Sequence, residues 1–308
     1  MFAAMVGCLV GASVPGPGFD RTPSPLNLTR WQNRRLMIVT AHPDDAEAFV
    51  GGVVHTLTTQ LNAMVQFLVV TSGNAGGRCY DASGAYQPPT YACEREEIAF
   101  LRRKEMIAGA AALGAAPPWR CGFDDGMLIA YHESMVRERI SGFIRNFAPA
   151  AIFTHFKDPN WRAPPSCNGA CPETGESQKS GWSPQWDDLG FHPDHKDVGK
   201  HVFDAVYTIG GSASNSRLFP ELSEAGDLAG WQPPELYFFA LTRDQPMTHF
   251  FPLSEDVLNV KAQALALHRS QYPAPPLVGV KWVASTVADG LSDVEHPPKY
   301  AEGFQAWF

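Results

Sequence analysis

The sequence predicts an α/β fold of the Rossmann-like type, in which a mostly parallel sheet carries helices on both faces. Short apolar runs alternate along the chain with longer segments whose apolar residues recur at helical spacing. Strand, helix and strand in this order imply parallel strands joined by right-handed crossovers. Charged or glycine-rich turns directly follow several of the predicted strands, and sites in open α/β sheets form at such strand ends.

Each predicted element rests on one of these two patterns. Buried strands are predicted at 35–41, 63–71, 119–123, 150–155 and 235–241. Helices are predicted at 44–60, 94–113, 133–147, 194–207 and 255–268. The second helix should end at Gly114, because glycine closes helices and Pro117 and Pro118 follow. The segment 158–191 is rich in Pro, Gly, Ser, Trp and Cys without periodicity, which predicts a long loop insert.

Length and composition favour one large domain, predicted at residues 31–308, over two small ones. The 308 residues are 44% hydrophobic and 18% charged, which is enough for a sizeable core. The net charge is −8, and no basic run or stripe occurs in the sequence. Nucleic acid is therefore not expected as a partner.

The N-terminal residues 1–30 are predicted to be a leader followed by a linker. Residues 2–14 are almost wholly apolar, and the sequence Pro-Gly-Pro-Gly ends the stretch at 15–18. This run is shorter than the roughly 20 residues that cross a bilayer, and it resembles the apolar region of a signal peptide. A truncated membrane anchor and a packed or disordered tail are the alternatives. A leader implies the secretory pathway, either outside the cell or at the endoplasmic reticulum membrane, with membrane contact through this stretch.

Four of the six cysteines form two pairs that bracket polar loops. Cys79 with Cys93 and Cys167 with Cys171 are predicted to be disulfides, as in proteins of an oxidising compartment. The alternative is a zinc site with four cysteine ligands, although the spacings do not match the usual ligand pairs. Cys121 lies in an apolar run and is predicted to be buried and free.

Two motifs of histidine and aspartate follow predicted strands. The sequence HPDD occupies 42–45 and the sequence HPDH occupies 192–195. His42 and Asp45 are three residues apart and can point to one side, with His195 as the natural third ligand. Such ligands suit zinc, or ferrous iron, with a position left open for water. Each motif alone also occurs in ordinary turns, but the pair predicts a catalytic site with Zn²⁺ as its cofactor.

The remaining polar residues of the two motifs supply acid–base chemistry. Asp44 is predicted to take the proton of the attacking water. A protonated His192 would stabilise a tetrahedral oxyanion and then protonate a leaving amine. Asp194 is predicted to orient His192 and to raise its pKa. Asp44, His192 and Asp194 are therefore the predicted catalytic residues.

These motifs resemble those of the LmbE-like deacetylases, which include the PIG-L enzymes that deacetylate N-acetylglucosaminyl-phosphatidylinositol. The resemblance covers about residues 34–272 and rests on sequence elements in the family's order, namely AHPDD at 41–45, GG at 51–52, TSGN at 71–74, RRKE at 102–105, HPDH at 192–195 and HRSQ at 268–271. It implies a Rossmann-like fold with His42, Asp45 and His195 as zinc ligands. It also implies that Asp44 is the general base and that His192 is the oxyanion stabiliser and acid.

Two further residues are candidates for contact with substrate. Arg78 follows the glycine-rich turn and could hold a substrate oxygen, with a solvated loop arginine as the alternative. His155 ends a predicted strand and could line the pocket, with a hydrogen-bonded turn histidine as the alternative. Arg102 and Glu105 lie one helical turn apart and are predicted to form an ion pair that braces the site.

The sequence thus predicts a zinc-dependent hydrolase that removes an N-acetyl group from an amino-sugar conjugate. N-Acetylglucosaminyl-phosphatidylinositol is the leading candidate substrate if the N-terminal stretch is a membrane anchor. The main alternative is a secreted deacetylase of another carbohydrate or small GlcNAc conjugate, which intact disulfides would favour. A nucleotide-binding module is less favoured because the turn at 73–77 lacks the spacing GxGxxG. A non-catalytic carbohydrate-binding relative is less favoured because Asp44 and His192 are both present.

Overall fold

An eight-stranded sheet forms the centre of the computed structural model, which describes residues 22–87, 93–157, 192–209, 234–241, 246–272 and 276–307. Its strands in chain order are β1 (Ser24–Pro25), β2 (Arg35–Thr40), β3 (Met64–Thr71), β4 (Ala116–Phe123), β5 (Ala151–Thr154), β6 (Glu235–Ala240), β7 (His249–Pro252) and β8 (Ala301–Trp307). The α-helices are α1 (Asp45–Gln60), α2 (Arg95–Ala112), α3 (Glu133–Phe147), α4 (Pro193–Ile209), α5 (Glu255–Ala266) and α6 (Leu277–Asp289). Two 3-10 helices occupy Leu28–Trp31 and Leu128–Ala130.

The order of the strands across the sheet is β1-β7-β8-β6-β5-β2-β3-β4. The five neighbouring strands β6, β5, β2, β3 and β4 run parallel to one another. Strand β8 is antiparallel to both of its neighbours, β6 and β7. The predicted fold class is therefore confirmed. The chain leaves β2 towards β3 and β4 on one side and later returns to β5 on the other side of β2. A crevice opens beyond the carboxyl ends of strands at such a switch, which is where ligands bind in open α/β sheets.

Alternate side chains of the strands divide the core into two layers. Leu36 and Ile38 of β2 belong to the cluster that includes residues of α1, α5 and α6. Met37 and Val39 belong to the cluster that includes residues of α3 and α4. Successive side chains of a strand point to opposite faces, so both faces are covered by helices, as parallel sheets require. The strand ends are thereby held in place, and so are the turns that follow them.

The ten elements predicted from the sequence are all present, and their ends differ from the prediction by no more than three residues. The largest difference is in β4, which begins at Ala116 and includes two prolines. Proline is tolerated there because β4 is an edge strand, where a missing N–H breaks no ladder. Three strands, one α-helix and the two 3-10 helices were not predicted. β1 and β7 are too short to show a pattern, β8 carries a buried glutamate, and the β-branched residues of α6 obscure its helical period.

A disulfide joins Cys79 to Cys93, as predicted. This pairing rules out both residues as ligands of a cysteine-bound zinc ion. Cys121 is buried and free, also as predicted, and burial raises the pKa of its thiol to about 12. The second pair, Cys167 with Cys171, lies outside the described residues together with the rest of the insert at 158–191 and the leader at 1–21. Among the described residues, no helix has the length and apolar character needed to cross a membrane.

A buried ion pair stabilises α1 at a kink. The backbone of Val50 leaves the helical conformation, with φ −138° and ψ 15°. Two N–H groups beyond the kink, those of Gly52 and Val53, donate to the two carboxylate oxygens of Glu302 at 2.9 Å each. Lys261 of α5 donates to the same carboxylate at 2.5 Å, and both charged side chains are almost fully buried. Glu302 thus acts as a cap, supplied by a distant strand, for the second half of α1.

Replacing Glu302 with glutamine should lower the free energy of unfolding by about 3–5 kcal/mol, because the Lys261 charge would stay buried without its partner. Urea denaturation of the full chain measures the change. The matched control is Glu255→Gln, since Glu255 pairs with Lys281 and Lys299 at the exposed surface. This control should shift the urea midpoint only slightly. Equal effects of the two substitutions would contradict the prediction.

Candidate active site

The two histidine–aspartate motifs lie together beyond the carboxyl ends of β2 and β5. His42 lies two residues after β2, and Asp45 is the first residue of α1. His195 lies in the first turn of α4, and His155 directly follows β5. All four of these side chains are buried. The switch in strand order between β2 and β5 therefore brings together residues that are more than a hundred positions apart in sequence.

The side chains of the three predicted ligands form a close triangle. His42 Nδ1 lies 3.1 Å from His195 Nε2. Asp45 Oδ1 lies 3.3 Å from His195 Nε2, and the other oxygen, Oδ2, lies 3.5 Å from His42 Nδ1. The backbone N–H of His42 donates to Asp45 Oδ2 at 2.7 Å and fixes the carboxylate beside the histidine. The predicted ligands His42, Asp45 and His195 are thus brought together.

The triangle fits a divalent metal of the size and preference of zinc. Ligand atoms about 2.0–2.1 Å from zinc at tetrahedral angles lie about 3.3 Å from one another. The separations of 3.1–3.5 Å between the two imidazole nitrogens and the carboxylate oxygens of Asp45 are close to this spacing. Two imidazole nitrogens and one carboxylate oxygen are also a donor set that zinc accepts, and a metal would relieve the crowding of these buried polar atoms.

His155 lies behind Asp45 rather than at an open surface. Its Nε2 accepts the N–H of Ala41 at 3.0 Å and lies 3.1 Å from Asp45 Oδ2, and its ring stacks on His195. Burial and the neighbouring His195 lower its pKa to about 3, so the ring is neutral. Its side chain is 3% exposed. This position favours support of Asp45 over the contact with substrate that the sequence suggested.

Two further carboxylates face the other nitrogen of His42. His42 Nε2 lies 3.1 Å from Asp125 Oδ1 and 3.5 Å from Asp194 Oδ2. Burial lowers the pKa of His42, but the carboxylates of Asp45, Asp125 and Asp194 raise it by more, so that it lies well above its usual value. Burial raises the pKa of Asp125, but His42 and Arg102 lower it to about 2. A ligand histidine that donates its second N–H to a carboxylate is held in one orientation and one tautomer.

The Asp44 carboxylate, the predicted general base, is held from two sides. Arg102 of α2 donates to Asp44 Oδ1 at 2.6 Å, and the Tyr272 hydroxyl donates to Oδ2 at 3.0 Å. Arg102 also donates to the carbonyl of Gly73 at 2.9 Å. Gly73 has a φ of +64°, and a Cβ at this position would lie 2.7 Å from the guanidinium. The glycine-rich turn is thus needed for the close approach of Arg102 to the site.

His192 lies at the edge of this cluster. Its ring centroid is 4.5 Å from that of His42, and its Nδ1 accepts the N–H of Asp194 at 3.3 Å. Burial, His42 and His195 lower the pKa of His192, and Asp194 raises it by less, in the predicted direction. The Asp194 carboxylate accepts the N–H of Gly126 at 2.7 Å. The Asp194 carboxylate therefore binds the loop after β4 and faces the ring of His42.

The structure does not bring Arg78 into the buried cluster, and it does not pair Arg102 with Glu105. Arg78 is exposed, and its backbone N–H donates to Ser270 O at 2.8 Å, so Arg78 is not part of the buried cluster. Arg102 and Glu105 do not form the predicted ion pair. Arg102 binds Asp44, whereas Glu105 accepts the backbone N–H and the hydroxyl of Ser270 at 2.7 and 2.6 Å. The two residues thus connect α2 to two different parts of the site.

Asp125 and Tyr272 are the residues that the sequence analysis missed. Asp125 follows β4 in the sequence DDG at 124–126, so the same rule that found His42 could have found it. Its backbone N–H donates to the side chain of Asn74, at the end of β3, at 2.9 Å. Tyr272 comes one residue after the HRSQ motif, and its contact with a residue 228 positions earlier has no local signal.

Comparison with known proteins supports the family that the motifs predicted. The fold and the donor set define an α/β protein with a buried site suited to a divalent metal. Residues 37–164 match the family model described as PIG-L: GlcNAc-PI de-N-acetylase. This match agrees with the predicted resemblance to the LmbE-like deacetylases, and the predicted enzyme class, a metal-dependent amide hydrolase of the deacetylase type, is confirmed.

Two relatives and one solved structure illustrate the similarity. The diacetylchitobiose deacetylase of Thermococcus kodakarensis is 25% identical over 240 residues, which cover 78% of this chain and 71% of that protein. The 1D-myo-inositol 2-acetamido-2-deoxy-alpha-D-glucopyranoside deacetylase of Rhodococcus erythropolis is 25% identical, covering 85% of this chain and 90% of that protein. The structure of N,N'-diacetylchitobiose deacetylase from Pyrococcus horikoshii has a TM-score of 0.61 at 20% identity, covering 89% of this chain and 84% of that one, and therefore supports the fold.

Replacing Asp125 with asparagine should weaken zinc binding by about 10–100-fold, because the buried carboxylate that faces the second nitrogen of His42 would be lost. Competition with a chromogenic chelator measures the dissociation constant. The matched control is Asp124→Asn at the neighbouring exposed position, which should bind zinc as tightly as the unaltered chain. Unchanged zinc affinity of the Asp125→Asn variant would show that Asp125 does not support the ligand.

Proposed function

We propose that this chain is a zinc-dependent hydrolase that removes the N-acetyl group from a GlcNAc conjugate. The observation that carries the proposal is the buried triangle of His42, Asp45 and His195, with Asp44 beside it in sequence and His192 at its edge. Amide hydrolysis needs an activated carbonyl, a base for water and an acid for the leaving amine. The cluster offers groups suited to all three tasks.

The metal belongs at the donor triangle. We assign His42 Nδ1, His195 Nε2 and a carboxylate oxygen of Asp45 as the groups that hold it. His155 is not assigned as a ligand, because the lone pair of its Nε2 already accepts the Ala41 N–H. A divalent metal bound there supplies Lewis-acid activation of the amide carbonyl and of water.

Asp44 is assigned as the general base. Asp44 directly precedes the proposed ligand Asp45 in the sequence. The Arg102 guanidinium lies 2.6 Å from one oxygen of the Asp44 carboxylate. Asp44 would accept the proton of the attacking water at one of its two oxygens.

His192 is assigned as the group that stabilises the negative charge that develops on the amide oxygen. Because its Nδ1 accepts a backbone N–H, the proton of the neutral ring lies on Nε2, where it can donate a hydrogen bond to that oxygen. The side chain is less buried than the three ligands, which suits contact with a substrate. The proton that Asp44 takes from water is passed to the nitrogen of the leaving amine, which balances the cleavage of the amide and water into acetic acid and a free amine.

GlcNAc linked to inositol is the substrate core that the comparisons favour. The matching family model is described as acting on GlcNAc-PI, and the Rhodococcus relative acts on a GlcNAc derivative of myo-inositol. The Thermococcus relative acts on diacetylchitobiose, so another GlcNAc acceptor is the main alternative. N-Acetylglucosaminyl-phosphatidylinositol, the leading candidate from the sequence, combines the inositol core with a lipid and requires membrane contact through the N-terminal stretch.

The secretory pathway is the proposed location. The disulfide between Cys79 and Cys93 supports it, because disulfides persist in oxidising compartments and are rare where glutathione keeps thiols reduced. Mass spectrometry of the chain isolated from its native source, with thiols blocked before lysis, tests this point. A fully reduced pair would argue for a reducing compartment.

Acetate release from three substrates tests the function. GlcNAc-α-inositol, diacetylchitobiose and GlcNAc-phosphatidylinositol in detergent micelles are each incubated with the full chain before chelation, after chelation and after zinc is returned. We expect about one zinc per chain by elemental analysis and acetate release that chelation abolishes and zinc restores. Release from the lipid alone would favour the membrane substrate. No release and no bound metal would favour a carbohydrate-binding protein instead.

Two neighbouring substitutions separate metal binding from catalysis. Asp45→Ala should lose bound zinc, because it removes a ligand oxygen. Asp44→Ala should keep zinc but lower kcat by about 100-fold or more, because it removes the proposed base. Elemental analysis and acetate release measure the two properties on the same samples. Zinc retained by both variants would overturn the ligand assignment.

A further inference from the structure

We propose that Tyr272 is a positioning residue for Asp44, and that its hydroxyl, together with the Arg102 guanidinium, holds the carboxylate in the orientation needed for catalysis. The inference rests on the proposed function, in which Asp44 takes the proton of the attacking water. It assigns a purpose to the segment 268–272, whose HRSQ motif the proposed reaction does not use.

Asp44 precedes the first residue of α1, a position at which an aspartate side chain ordinarily accepts a hydrogen bond from its own helix. It is the N-cap residue of α1, and aspartate at this position usually accepts an N–H of the first helical turn. The Asp44 side chain makes no such cap hydrogen bond. Its two oxygens instead accept hydrogen bonds from Arg102 at 2.6 Å and from Tyr272 at 3.0 Å. Both donors come from other elements, and together they turn the carboxylate away from the helix end.

The segment that carries Tyr272 is held in place by buried contacts. The N–H groups of Gln271 and Tyr272 both donate to His268 O at 2.9 Å, which makes a tight turn after α5. His268 is fully buried, with its Nε2 3.4 Å from a Glu47 oxygen on α1. Ser270 donates twice to Glu105 on α2. Tyr272 is thus presented to Asp44 by a turn that is fixed to α1 and to α2.

The same turn is joined to the glycine-rich turn after β3. The backbone N–H of Arg78 donates to Ser270 O at 2.8 Å, and the Gln271 side chain donates to Gly76 O at 3.1 Å. Since the glycine-rich turn also accepts a hydrogen bond from Arg102, both donors to Asp44 are tied to one unit. Burial and the neighbouring Asp44 raise the pKa of Tyr272 well above its usual value, so the hydroxyl stays protonated and able to donate.

Tyr272→Phe removes the hydroxyl and keeps the ring, so the local packing is conserved. Without this donor, Asp44 Oδ2 is free to turn towards the N–H groups of α1. On the substrate that the unaltered chain hydrolyses best, we expect kcat to fall about 10–100-fold while KM changes less than about twofold. Zinc content should be unchanged, because the hydroxyl donates to Asp44, which is not an assigned ligand.

The matched control is Tyr237→Phe. Tyr237 is a buried tyrosine whose hydroxyl likewise donates to a carboxylate, that of Glu235 at 2.8 Å, but it lies near the start of β6, away from the strand ends that form the site. The control should keep kcat within about twofold of the unaltered chain. Equal losses of kcat in the two variants would assign Tyr272 a merely structural role and overturn the proposal.

A second measurement does not depend on activity. A double-mutant cycle combines Tyr272→Phe with Asp44→Ala and follows unfolding of the full chain in urea. We expect the two substitutions to be coupled by at least about fivefold in the unfolding equilibrium constant, whereas Tyr237→Phe combined with Asp44→Ala should be additive. Additive effects of Tyr272→Phe and Asp44→Ala would overturn the contact itself. Coupling in a chain that hydrolyses no substrate would retain the contact and reject the proposed function.

Discussion

The Asp45 carboxylate is the group on which the geometry of the site depends. It accepts the N–H of His42, and its oxygens face the imidazoles of His195 and His155 as well as that of His42. Burying a carboxylate is costly unless opposite charges or hydrogen bonds surround it. The three histidines come from the ends of β2 and β5 and from the first turn of α4, so the surroundings of this one carboxylate form only where three elements meet.

Charges of opposite sign alternate outward from this centre. His42 faces Asp125, and Arg102 lies 3.8 Å from Asp125 and 2.6 Å from Asp44. Arg102 therefore connects the support of a ligand to the proposed base. A change in one member of such a chain affects its neighbours, because each buried charge is compensated by the next. Single substitutions within this chain of charges should then perturb both metal binding and proton transfer.

Local patterns in the sequence predicted the ligands and the central strands, whereas contacts that depend on tertiary structure were not predictable. His42 and Asp45 share one turn, and the strands before them are continuous apolar runs, so both signals are local. The pairing of Arg102 with Asp44 instead of Glu105 depends on how α2 packs against the turn after β3. β8 was missed because Glu302 breaks its apolar pattern, and that glutamate is buried only because Gly52, Val53 and Lys261 meet it.

The C-terminal part of the chain is needed to complete the site. The segment that matches the family model, 37–164, contains His42, Asp45 and Asp44 but neither His195 nor Tyr272. Helix α1 carries Asp45 in its first turn, and residues beyond 250 hold this helix at two places, through Glu302 at its kink and through His268 beside Glu47. A fragment limited to 37–164 would lose His195, a proposed metal ligand, and both of these anchors of α1. The catalytic unit must therefore extend at least through β8.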